Sequence, residues 1–174
     1  FVRTSMDRLQ EDIDRLRGLG FELLIIDTPP AITSTIATVI GMADLVVTPT
    51  RPSPHDLRSV ARTVELAERM DKPLIFVVNA ASSRAKITLN VAVALSQHGT
   101  LAPSIIHQRS DFASSMIDGR TVMEISRKSP SAVEIGELWD YLEWRLERIS
   151  QRGIGTPVNT SHSYNERFSV RNAS

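Results

Sequence analysis

Short unbroken apolar runs alternate along the chain with amphipathic stretches of helical period. Residues 4–18 open the series. There Leu9, Ile13 and Leu16 fall at i, i+4 and i+7 among acids and arginines, and Gly18 and Gly20 stop the helix. Leu23-Leu24-Ile25-Ile26 follows as a continuous run, the pattern of a strand buried on both faces. Residues 33–41 read as a short helix, and Leu45-Val46-Val47-Thr48-Pro49 as a second buried strand closed by proline. The clearest helix covers 54–70, with Pro54 near its start. Its expected buried stripe is Leu57, Val60, Ala61, Val64, Ala67 and Met70.

A third buried strand is predicted at 73–79, a helix at 86–98 ending in His98-Gly99, a weaker fourth strand at 102–109, and a short helix at 110–118 ending at Gly119. The last helix takes Ser129 as N-cap and Pro130 as first helical residue, with acids clustered early. Val133, Leu138, Leu142 and Leu146 are expected to face inward, and of Trp139 and Trp144 one packs inward while the other lies near the surface. Beyond Gln151 the chain turns polar, turn-rich and aperiodic, so 1–150 reads as one partial domain and 151–174 as a disordered polar tail.

Buried strands alternating with helices define an α/β class: a parallel sheet, right-handed crossovers and helices on both faces. Ligands in such sheets bind beyond the C-terminal strand ends. Asp27 and Asn79 both fall at predicted strand ends of that kind.

Composition narrows the chemistry. The 174 residues suffice for one sizeable core, and 20 basic residues balance 20 acidic ones, so any nucleic-acid contact must be a local patch. There is no cysteine, which removes disulfides, thiolate zinc sites and cysteine nucleophiles. The four histidines form no i, i+4 pair and no H-E-x-x-H, and no serine stands in G-x-S-x-G. No apolar run approaches the ~20 residues of a membrane span. With no leader recognised, a cytoplasmic setting is expected. The chain begins at Phe1 and is read as part of a longer protein.

Asp27 carries the sharpest question. An apolar run that ends in a carboxylate and then in Thr28, Pro29 and Pro30 places a rigid oxygen ligand at a sheet rim. Such a ligand suits Mg²⁺, and the prolines fix the φ of the departing loop. The same residues also serve simply to cap a turn, and Asn79 is open to the same two readings. Arg84, Lys86 and Arg109 are either phosphate contacts or solvated loop charges.

Taken together, "FELLIIDTPPA", "ADLVVTPTRPSPHDLRSV", "PLIFVVNAASSR" and "HQRSDFASSMIDGRTVMEISRKSPSAVEIGELWDYL" resemble, in order, the C-terminal two-thirds of the ParA/MinD family of deviant Walker ATPases, and most of all the partition ParA proteins. The resemblance implies a P-loop NTPase-like, three-layer α/β/α fold, N-terminally incomplete here. It implies ATP and Mg²⁺ as cofactors. Asp27 would hold Mg²⁺ through a water, Thr28 and Pro29 would lie in the switch loop, and Asn79 would lie near the adenine. Arg84 and Arg109 match basic positions linked to non-specific DNA binding. Family members work as ATP-driven homodimers on nucleoid DNA, and a centromere-binding ParB-like partner stimulates hydrolysis. No membrane contact is expected, since the tail lacks an apolar stripe.

The departure from the family is a missing phosphate loop: none of the eight glycines stands in G-x-x-x-x-G-K-[ST]. Two expectations follow: the chain alone does not hydrolyse ATP, and a sheet lacking the family's central first strand exposes apolar surface. Three functions compete: a partition ATPase, a non-catalytic remnant or regulator of a ParA-like partner, and a MinD-like positioning ATPase or amidoligase.

Overall fold

β-Branched residues dominate three short segments that lie side by side. The computed structural model describes residues 1–28, 33–82 and 86–153. Within it, β1 (Val46–Thr50), β2 (Leu74–Val78) and β3 (Thr100–Leu101) form a parallel sheet in the order β1-β2-β3. Val46 pairs with Leu74 and Thr50 with Val78, and Ile75 and Phe76 pair with Thr100 and Leu101. The connections are helical: α3 (Pro54–Arg69) joins β1 to β2, and α4 (Lys86–Ser96) leads into β3. After β3 come α5 (Ser110–Ser115), α6 (Val122–Ile125) and the long α7 (Pro130–Gly153).

The central strand has both faces covered, as its unbroken apolar run requires. Phe76 and Val78 meet Val60 and Val64 of α3 and Val91 and Leu95 of α4. Ile75 and Val77 point the other way, onto Ala102, Ile106 and Tyr141, with Leu138, Leu142 and Trp144 of α7 around them. Phe76, Ile75 and Val78 are fully buried, and each such side chain contributes about 1.5–3 kcal/mol of transfer free energy. The result is a three-layer α/β/α architecture.

Local signals set the helix ends. The Ser53 hydroxyl accepts from the Asp56 N–H at 3.1 Å, with Pro54 next in line. At the far end Asp71 adopts φ +51°, and the Lys72 N–H donates back to the Ala67 carbonyl at 2.9 Å. That left-handed closure is one aspartate tolerates. The Ser129 hydroxyl caps α7 by accepting from the Ala132 N–H at 3.2 Å. The early acids of α7, Glu134 and Glu137, lie just beyond its first turn. Thr121 and Glu124 form a reciprocal capping box on α6, a helix the apolar pattern did not announce.

Several expectations need correction. The 102–109 strand is replaced by Thr100–Leu101 and one isolated bridge, Ala81 to His107. Pro103 has no N–H to donate and interrupts the ladder. On α3 the buried stripe is Val60, Val64, Leu66 and Ala67, while Ala61 and Met70 are exposed. On α7, Val133 is exposed and Ala132 and Tyr141 take the inward face. Trp139 is exposed and Trp144 half-buried, as the pattern suggested. α7 runs through Gly153, and residues 154–174 of the tail read from the sequence lie outside the described residues.

The chain divides into two compact units, one within Phe1–Ala43 and one beginning at Asp44. The first holds a one-turn 3-10 segment (Met6–Arg8), α1 (Leu9–Gly18) and α2 (Thr33–Met42). Leu9 is buried on α1, and Asp12 is buried beside Arg15, whose guanidinium donates at 3.0 Å. The Thr4 hydroxyl and then Arg15 hold the Asp12 carboxyl below the ordinary carboxylate range.

The strand predicted at 23–26 is not formed, and this is the largest correction. Residues 21–28 pair with no other strand among the described residues. Leu23 and Ile25 are 42% and 80% exposed, whereas Leu24 and Ile26 are half-buried. A continuous apolar run becomes a strand only when neighbours accept its backbone hydrogen bonds, and no strand among the described residues does so. Within the sheet, Val47 on β1 is 39% exposed.

Candidate functional site

At the end of β2 the chain makes a sharp turn built by Asn79. Its backbone N–H donates to the Thr50 carbonyl at 2.9 Å, tying the ends of β1 and β2 together. Its Oδ1 accepts from the Ala80 N–H at 2.9 Å. Ala80 adopts φ +50°, a left-handed conformation that costs an L-residue roughly 1–2 kcal/mol. The turn uses only the carbonyl of the Asn79 amide; its NH₂ donors have no partner among the described residues. A half-buried amide with two unused donors at a strand's C-terminal end can bind an acceptor-rich ring edge.

The same rim carries a charged cluster. The Ala81 N–H donates to the Ile106 carbonyl at 3.1 Å, and the Gln108 N–H to the Ala81 carbonyl at 2.9 Å. These bonds bring residues 106–109 alongside the Asn79 turn. Glu134, in the second turn of α7, reaches across to them. It accepts from the His107 backbone N–H at 3.0 Å, lies 2.8 Å from His107 Nδ1, and accepts from the Arg109 guanidinium at 2.6 Å. Burial by itself would raise the Glu134 carboxyl, but Arg109 and the two His107 groups outweigh it and hold the carboxyl below its ordinary value. The hydrogen bond that Arg109 donates to Glu134 raises the guanidinium's pKa in turn. Nearby, the fully buried Ser131 hydroxyl donates to Asp111 at 2.9 Å and ties α5 to the start of α7.

The predicted residues are thus distributed. Asn79 and Arg109 come to one end of the sheet, with Arg109 one-third exposed and paired to Glu134. Asp27 and Thr28 end the apolar run of the first unit, both exposed. Pro29 and Arg84 lie outside the described residues. Glu134 was missed: it stands 27 residues from His107, and nothing local in the sequence links them.

No group of three or more acidic, histidine or cysteine side chains able to hold a metal occurs among the described residues. Mg²⁺ asks less than that, since it keeps several waters and takes one or two carboxylates. The exposed Asp27 carboxylate and Thr28 hydroxyl are hard oxygen donors that fit a water-mediated ion.

No family model matches the chain. Its fold is similar to that of the cell division ATPase MinD of Pyrococcus furiosus, with a TM-score of 0.64 at 16% identity, over 80% of this chain and 58% of that one. That likeness and the parallel sheet establish an α/β, P-loop NTPase-like fold. A 57-residue segment is 45% identical to the maintenance of carboxysome distribution protein A of Gloeobacter kilaueensis. The first likeness shows the fold, and the second is confined to 32% of this chain. The chain spans little more than half of the MinD chain and 26% of the carboxysome distribution protein.

Proposed function

We propose that the chain is the nucleotide-switch and DNA-facing part of a ParA-type partition ATPase, which works with ATP and Mg²⁺ as a homodimer on non-specific DNA, in a nucleoid-associated cytoplasmic setting, and answers to a ParB-like centromere-binding partner. The observation that carries this reading is the MinD-type fold with Asn79 at the C-terminal end of its central strand. Mg²⁺ supplies charge neutralisation at the transferring phosphoryl group when bound. In this chain Asp27 would orient its water shell, Thr28 and Pro29 would sense the γ-phosphate, and the free Asn79 amide would face the adenine. Arg84 and Arg109 would meet DNA phosphates.

A MinD-like positioning ATPase is the second reading. It is favoured by the fold likeness and by the segment shared with a protein named for carboxysome distribution. Duplex-DNA affinity across a salt series separates the two. Under the partition reading, Arg84→Ala and Arg109→Ala each lower the logarithmic salt slope by about 0.9. A slope unchanged in both variants, or no DNA binding at all, passes the case to the positioning reading. Mg²⁺-dependent phosphate release by this chain alone is expected to stay at background, because its sequence holds no glycine-lysine phosphate loop.

A further inference from the structure

At the opposite end of the sheet, where β2 and β3 begin, a half-open cavity of about 250 Å³ lies between the close of α3, the close of α4 and the middle of α7. Val64 and Leu74 give it an apolar side, and Lys72, His98 and Arg145 line the rest, with Glu68 as its single carboxylate. We propose that this cavity is a binding site for a small phosphate-class oxyanion, with Arg145 as its principal ligand.

The argument starts from Arg145. Its side chain is half-buried on α7, and its Nε is fully buried without a hydrogen-bond partner. Among the described residues no hydrogen bond or ion pair reaches its guanidinium. The neighbouring Arg148 differs: it lies 5.0 Å over the Trp144 ring. A guanidinium is always charged and presents five donors in a planar fork that matches phosphate oxygens. Withdrawing its Nε from water without supplying an acceptor is unfavourable, and an oxyanion bound against the fork would supply one.

The surroundings supply the rest of a receptor. The left-handed turn at Asp71 fixes Lys72 at the cavity wall, and the His98 N–H closes α4 onto the Leu95 carbonyl at 3.0 Å. The carbonyl end of α3, which would repel an anion, is already bonded to the N–H groups of Met70, Asp71 and Lys72. Lys72 and Arg145 outnumber Glu68, and His98 adds a further donor. The surplus of positive charge favours a dianion over a carboxylate. The site takes one phosphate group, either free or at the end of a small monoester.

The test is an amide chemical-shift titration of the full chain with inorganic phosphate, with sodium chloride holding ionic strength constant. The expected result is a saturable response centred on Lys72, Gly99, Thr100 and Arg145, weakened roughly tenfold or more in Arg145→Gln. Lys72→Gln, at a turn outside the core, gives a smaller loss and guards against misfolding of the first variant. Glycerol phosphate binding more tightly than inorganic phosphate would identify a monoester as the source. Equal affinity would identify the free ion. A response that never saturates, that acetate reproduces equally, or that survives both substitutions overturns the proposal.

Discussion

Glu134 Oε1 receives both the Arg109 guanidinium, at 2.6 Å, and the His107 ring, at 2.8 Å, and so joins the second turn of α7 to the rim of the sheet. Replacing that carboxylate by an amide removes its charge and one of its two acceptor oxygens, so either the Arg109 guanidinium or the His107 backbone N–H loses its acceptor. Glu134→Gln is therefore expected to cost on the order of 1–3 kcal/mol. The urea midpoint at neutral pH measures it. An unchanged midpoint would mean water replaces the carboxylate at no cost.

The same carboxylate makes stability depend on pH in a fixed direction. Its folded-state pKa lies below the ordinary 4.5, so the unfolded chain binds the proton more readily. The stabilisation is fully present above that ordinary value and is lost as pH falls through the lowered one. Asp12, held down by Thr4 and Arg15, acts in the same sense. Denaturant midpoints followed from neutral pH into the acid range should fall steeply for the native chain. In Glu134→Gln the fall should be shallower, and the two curves should converge at the acid end.

Phe76 sits at the middle of the central strand between α3 and α4, with no exposed surface. Phe76→Ala is expected to destabilise by about 3–5 kcal/mol. That is a large part of the 5–15 kcal/mol typical of a domain. Thermal unfolding followed by far-UV circular dichroism would show a greatly lowered or absent transition. A drop of only a degree or two would contradict the packing described.

β1 pairs only with β2 among the described residues, and Val47 is 39% exposed. An apolar edge of this kind invites pairing between chains. Val47→Lys should reduce self-association in sedimentation velocity while changing stability by no more than about 0.5 kcal/mol. Unaltered association would place the sticky surface elsewhere.

The sequence revealed what is decided locally or by two-sided burial. β2 was readable because its run of Ile75, Phe76, Val77 and Val78 is covered on both faces. α3 was readable from Pro54 and its apolar stripe, whereas its Ser53 cap was found only in the structure. The run at 23–26 is as uniformly apolar as β2, yet a strand is a relation between segments, and its partners cannot be read from its own residues. The T-x-x-E box of α6 was present in the sequence and could have been found. At the candidate site, the position of Asn79 was legible but the left-handed Ala80 beside it was not. The Glu134 cluster depends on α7 packing over the sheet, a tertiary event that leaves no mark on the spacing of 107, 109 and 134.

α7 is a single uninterrupted helix of 24 residues. It touches the Asn79 rim through Glu134 and the opposite cavity through Arg145, eleven residues later, or about 16 Å along its axis. A helix resists axial compression, so it behaves as a push-rod laid across one face of the sheet. A sliding movement of α7 that loosens Glu134 from Arg109 must carry Arg145 by the same distance at the other end.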